Sequence, residues 1–179
     1  MNTAPRVFVV TGVMAAGKST VAQLLAQQFE AGVHLRGDEF RRMVVSGRHD
    51  MTPHGDPEAE RQLALRHEIA ATVTNRYVEA GFSVVVQDLF VGATLVPFLR
   101  QITGRPLHVV VLAPNVETVM LREAERAKKG YGDNWSIPDF DRMVRHTTPH
   151  IGMWIDSSTQ TPAETVAEII DRLDESSVG

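Results

Sequence analysis

Apolar residues in this chain follow two alternating rhythms. Short β-branched runs at 7–10, 82–86, 107–112 and 151–155 read as strands, while 20–29, 58–79, 116–127 and 163–173 repeat apolar residues every three or four positions, as helices do. A weaker strand is expected at 33–36, between the turn at Ala31-Gly32 and Gly37-Asp38. Short strands separated by helices predict βαβ crossovers, hence an α/β domain with a parallel sheet and helices on both faces. The punctuation agrees. Thr161, Pro162 and Glu164 spell a capping box with proline in the first turn, a further short helix is expected over 39–45, and Gly81 stops the long helix that ends near Ala80. Two polar stretches, 46–57 and 129–138, resist regular assignment, and loops of that length in an α/β domain are usually functional.

Between the first strand and the first helix lies Gly12-Val13-Met14-Ala15-Ala16-Gly17-Lys18-Ser19, a match to G-x-x-x-x-G-K-[ST] in the strand-loop-helix setting that the motif requires. Glycines let the backbone turn its N–H groups around phosphate oxygens, and the helix N-terminus adds partial positive charge. Residues 12–19 with Thr20 are therefore the expected nucleoside triphosphate site. Lys18 reaches the outer phosphates and the Ser19 hydroxyl ligates Mg²⁺. ATP is favoured over GTP because no N/T-K-x-D guanine signature is present.

Asp38 falls just beyond the second strand, at the sheet edge where ligands of open α/β sheets collect. A carboxylate there can take up or orient the proton of an attacking hydroxyl, or it can simply cap the helix over 39–45. Asp88 ends the third strand, where it would hold a metal, cap the strand or accept a substrate hydrogen bond. Arg122 and Arg126 stand four apart on one helix face, able to close over a triphosphate or to remain on a solvated surface. The following Gly130-Tyr131-Gly132 supplies hinges and favours a lid over about 122–137. Arg41, beside Arg42 and Arg48, is a candidate for orienting the acceptor, and a substrate segment is expected at about 39–57. Phe90 and Trp135 read either as pocket walls for an apolar acceptor or as core. The turn 156–159 either cradles adenine or is an exposed loop. His49 and His54 with Asp50 and Asp56 match no metal-ligand spacing.

The phosphate-loop ending A-G-K-S, the segment Gly37-Asp38-Glu39-Phe40-Arg41 and the Arg-rich helix after the fourth strand together resemble the small P-loop kinases. The nearest resemblance is to the chloramphenicol phosphotransferase-like group, with zeta-toxin and shikimate-kinase-like enzymes further off. The resemblance implies a five-stranded parallel sheet in the order 2-3-1-4-5, ATP with Mg²⁺, and phosphorylation of a small-molecule hydroxyl. It also implies that Asp38 occupies the position of the catalytic base.

Composition narrows the picture. The 179 residues suit a single domain over 1–179, and 43% hydrophobic with 22% charged residues is ordinary globular usage. The absence of cysteine excludes disulfide scaffolds, Cys-ligated zinc and thiol nucleophiles. A net charge of −4 gives no general attraction to nucleic acid or anionic membrane, and no run approaches the 18 or so apolar residues of a membrane span. The expectation is a soluble, cytoplasmic Mg-ATP-dependent phosphotransferase whose partner is a small hydroxylated molecule such as an antibiotic, catalysed by Asp38, Lys18, Arg122 and Arg126. A nucleoside or nucleotide kinase, or a non-catalytic nucleotide-dependent switch, is the alternative.

Overall fold

The structure is a computed structural model, in which residues 4–125 and 135–179 are described. Strands β1 (Val7–Gly12), β2 (Gly32–Arg36), β3 (Ser83–Gln87), β4 (Leu107–Leu112) and β5 (Met153–Ile155) form one parallel sheet in the order β2-β3-β1-β4-β5. Register is set by pairs such as Val7 with Val84 and Val7 with Leu107. A sixth strand, β6 (Ser177–Val178), departs from the five-stranded expectation. It runs antiparallel along the start of β4, pairing Leu107 with Val178 and His108 with Ser177. The three-residue β5 pairs only with 110–112, so β6 covers backbone that β5 leaves open.

Every residue of β1, β3 and β4 is buried, as expected of strands with helices on both sides. Alternation along β1 divides the core. Phe8 and Val10 point to the layer of α1 (Lys18–Ala26) and α7 (Pro162–Asp171), where Leu25 and Ile169 are buried. Val7 and Val9 point to the opposite layer of α3 (Pro57–Glu79) and α4 (Leu95–Gln101), where Ala70, Ala71 and Phe98 pack.

Helix ends follow their sequence signals. Thr161 and Glu164 make the reciprocal capping box, Gly81 adopts φ 91° just after α3, and Asp56 caps α3 with Pro57 in its first turn. The short α2 (Gly37–Met43) begins two residues earlier than expected, with Arg36 at its cap. Residues 46–56 hold no helix or strand. Of the second irregular stretch, 129–134 lies outside the described residues. At its end Ser136 caps α6 (Ile137–Thr147), which follows α5 (Val116–Glu125) and precedes β5. The one-turn α8 (Leu173–Ser176) and a 3₁₀ turn at Gly92–Thr94 complete the helices among the described residues. None of these helices is long and apolar enough to cross a membrane.

Candidate active site

The loop between β1 and α1 is shaped by backbone that few residues tolerate. Gly12 adopts φ 137°, and a Cβ there would stand 2.2 Å from the Leu112 carbonyl oxygen on β4. Gly17 at φ 94° and Ala15 at φ 62° complete the turn. The Lys18 ammonium donates to the carbonyls of Gly12 at 3.0 Å and Val13 at 2.8 Å, which holds its charge over the loop. Ser19 and Thr20 follow, exposed in the first turn of α1. The motif thus takes the curled form that presents backbone N–H groups and a helix N-terminus to phosphate.

This loop forms one side of a cleft of about 1290 Å³ at the carboxyl ends of the strands, which also takes in Asp38, Asp88, Arg41, Arg122 and Trp135. Nearly all the residues singled out from the sequence that fall among the described ones therefore meet in one place. Asp38 lies inside the first turn of α2, two residues past the cap position held by Arg36. Its carboxylate pairs with Arg42 at 2.8 Å and with Arg41 at 3.5 Å. Arg41 in turn bonds Asp50 through two nitrogens, at 2.7 and 2.6 Å, and its guanidinium holds the Asp50 carboxyl below the usual range.

Asp88 is buried one residue past β3. One carboxylate oxygen accepts from Arg66 at 2.7 Å and from the Leu89 N–H at 2.8 Å, while the other has no partner among the described residues. That second oxygen lies against Gly37, where a Cβ would come within 2.0 Å of it. Burial pushes the Asp88 carboxyl up, against the opposing pull of Arg66 and the Leu89 N–H. The sequence does carry a signal for Arg66. It interrupts the inward row Ala59, Leu63, Ala70 of α3 with a charge, and a charge in an inward row implies a buried partner.

Of its two readings Phe90 takes the core one rather than the pocket wall: it is fully buried, stacked on Phe98 at 3.8 Å and near His67 at 4.7 Å. Trp135 does line the cleft, with its indole N–H donating to the Met51 carbonyl at 3.3 Å. Arg122 donates to the carbonyls of Ser157 at 2.9 Å and Ala16 at 3.4 Å, bridging the phosphate loop to the turn after β5. That turn is also tied to α5, because the Asn115 N–H donates to the Ser158 hydroxyl at 2.7 Å. Arg126 lies outside the described residues. The histidine-aspartate stretch is held together without metal geometry: His49 pairs with Asp56 at 2.9 Å, and the described residues contain no group of His, Asp and Glu suited to a metal ion.

A nucleotide-bound Mg²⁺ needs only one or two protein oxygens, since phosphates and water supply the rest. The exposed Ser19 hydroxyl beside Lys18 can supply such an oxygen, whereas the unpartnered Asp88 oxygen is buried against Gly37.

A sugar kinase from Janibacter sp. HTCC2649 has a similar structure, with a TM-score of 0.70 at 19% identity, covering 96% of this chain and 95% of that one. Shikimate kinase from Acinetobacter baumannii in complex with shikimate gives 0.62 at 18% identity over 96% and 93%. Mycobacterium tuberculosis APS kinase in complex with AMPPNP and APS gives 0.66 at 16% over 96% and 98%. At such identities the likeness is one of fold, a P-loop kinase fold. No curated protein matches the sequence. The AAA domain family model matches residues 7–150, the span from β1 through the phosphate loop and the cleft to the end of α6, and the chain belongs to that family.

Proposed function

We propose that this protein is a Mg-ATP-dependent phosphotransferase whose acceptor is a hydroxyl group of a small organic molecule. The observation that carries the reading is the shared cleft, which sets the carboxylate of Asp38 on the same cavity as the phosphate loop with Lys18. A nucleotide switch has no use for a carboxylate facing an acceptor space; a phosphotransferase does. The fold relatives named above act on sugars, shikimate or APS, and one of them was solved with AMPPNP, which supports an adenine nucleotide as donor.

Residues 12–20 would hold the phosphates through backbone N–H groups, and Lys18 would turn from the carbonyls of Gly12 and Val13 to the outer phosphates. Ser19 would hold Mg²⁺, which when bound neutralises phosphate charge. Asp38 accepts the hydrogen bond of the acceptor hydroxyl, orients its oxygen toward the transferring phosphorus and takes up the proton as the new P–O bond forms and the bond from that phosphorus to the bridging oxygen breaks, with ADP leaving. Arg41 and Arg42 hold that carboxylate in place. Arg122, already bonded to the phosphate loop, adds positive charge beside the nucleotide, and Arg126 is assigned the same task. The resemblance to antibiotic phosphotransferases puts hydroxylated antibiotics among the acceptors to test. ADP release measured with ATP, Mg²⁺ and a library of hydroxylated metabolites and antibiotics is expected to rise with a narrow set of alcohols. A rate unaffected by every acceptor would leave only a nucleotide-dependent switch.

A further inference from the structure

Residues 48–51 line the cleft from the loop before α3, and every residue of 47–51 except one is tied down. The amide of Gln62 on α3 clamps the chain on both sides of residue 48: it donates to the Gly47 carbonyl at 2.8 Å and accepts from the His49 N–H at 3.0 Å. The same amide donates to Glu58 one turn earlier on the helix, which fixes its own orientation. The His49 ring bonds Asp56 at 2.9 Å, the Asp50 carboxylate takes two nitrogens of Arg41, and the Met51 carbonyl accepts from Trp135.

Arg48 is the exception. Its guanidinium makes no hydrogen bond among the described residues, its side chain is 43% exposed, and the nearest carboxylate oxygen, on an Asp50 already held by Arg41, is 3.8 Å away. The neighbouring cations differ. Arg41 spends all three of its nitrogens on Asp50 and Asp38, and Arg42 lies between Asp38 and Glu39. An anion binding to either must displace a bonded carboxylate, whereas at Arg48 it meets open donors in the fork that suits carboxylate and phosphate. A solvated surface arginine accounts for an unbonded guanidinium but not for a backbone fixed on both sides of it by one amide. Such fixing lowers the cost of ordering the loop around a ligand.

Asp38, Arg41, Asp50 and Arg48 thus form a row of alternating charge beside the cleft, with links of 3.5, 2.6 and 3.8 Å. Resting on the phosphotransferase reading above, we propose that Arg48 determines acceptor specificity by binding an anionic group, carboxylate or phosphate, that the acceptor carries away from its reacting hydroxyl, and that Gln62 positions it. The row gives the site a polarity. An anionic end placed at Asp38 meets a like charge, so it goes to Arg48 and leaves the hydroxyl to Asp38.

The test uses the full chain with ATP, Mg²⁺ and matched acceptors: ω-hydroxy carboxylates of increasing length and 4-(hydroxymethyl)benzoate against their methyl esters, with phosphate monoesters of the matching diols as a third arm. Formation of the phosphorylated product is read alongside ADP. One of the two anionic arms is expected to exceed the neutral esters by about 10² in kcat/KM, and the arm that leads names the anion. Arg48→Met keeps the aliphatic stem and removes the charge; it is expected to raise KM for the anionic acceptors about tenfold, with a smaller change in kcat and none in KM for ATP. Arg48→Lys should recover part of that loss, and Gln62→Leu should raise the same KM with kcat little changed. Esters turned over as well as both kinds of anion, or an Arg48→Met loss that falls on KM for ATP, would overturn the proposal and leave the phosphotransferase intact. No phosphorylated product in any arm would overturn the phosphotransferase reading and this proposal with it.

Discussion

At Gly37 a missing carbon decides where Asp88 can go. A methyl group there would lie 2.0 Å from the buried carboxylate oxygen, so Gly37→Ala must push Asp88 off Arg66 or shift α2. The expected cost is about 1–3 kcal/mol in chemical denaturation, with a fall in transfer rate as Asp38, the next residue, moves too. Lys18→Ala should melt like the wild type yet lose 10²-fold or more in phosphoryl transfer, because it removes a point charge from the phosphates and no core contact. Near-normal turnover in that variant would remove the nucleotide assignment. Asp38→Asn loses two partly exposed ion pairs, worth no more than about 1 kcal/mol in a melt, while transfer should drop roughly 10²- to 10⁴-fold. Wild-type rates in both Asp38→Asn and Asp38→Ala would leave this carboxylate a purely structural partner of Arg41 and Arg42. The residues that the sequence made legible are those whose chemistry is local. The loop of residues 12–19 and Asp38 announce themselves by spacing from a strand end. Arg66 shows only as a charge set in the inward row of α3, and the burial of Phe90 depends on Phe98 of α4 and His67 of α3, which no neighbouring residue encodes.

Elements show the same divide between local and distant causes. The central strands are written as uninterrupted apolar runs, and α7 carries its own capping box. Thr161→Ala is expected to cost about 1 kcal/mol, seen as a lower denaturant midpoint at unchanged m-value. By contrast α4 is seven residues long with Pro97 inside it, and β6 is two residues long. Such pieces exist because packing against α3 or pairing with β4 stabilises them, so their own sequences say little. The start of α6 did carry a signal, Ser136 followed by Pro138 and Asp139, though it is embedded in a glycine-rich polar run. Arg122 ties α5 to the phosphate loop, and its test belongs to this level. Arg122→Ala should lower kcat at saturating substrates more than it raises acceptor KM, whereas equal effects on the two would place the side chain in ground-state binding alone.

For the whole molecule, buried histidines set how stability responds to acid. Burial brings His67, packed against Phe90 and Phe98, down to about 3 and His34 down to about 4. The unfolded chain titrates these rings near 6.5 and takes up protons that the folded chain refuses. Stability therefore rises with pH from about 3 to 6.5 and is lost as pH falls through that window. His67 alone contributes up to about 1.4 kcal/mol per pH unit there, and the less buried His34 contributes less. His49 acts in the opposite sense, raised by Asp56, but it is exposed and weak. Denaturation midpoints at pH 5 and 7 are expected to differ clearly, and His67→Leu should flatten the difference; an unchanged slope would show that the ring titrates normally in the fold. The two sides of the cleft also differ in how they are attached. The phosphate loop is keyed into the central sheet, where Gly12 touches the backbone of β4, so substitution there reaches the core. The stretch 46–56 is fastened mainly by exposed side-chain bonds from Arg41, Gln62 and Trp135, which can be exchanged one at a time. A lineage, or an engineer, can thus rewrite what this scaffold accepts without relearning how to hold its nucleotide.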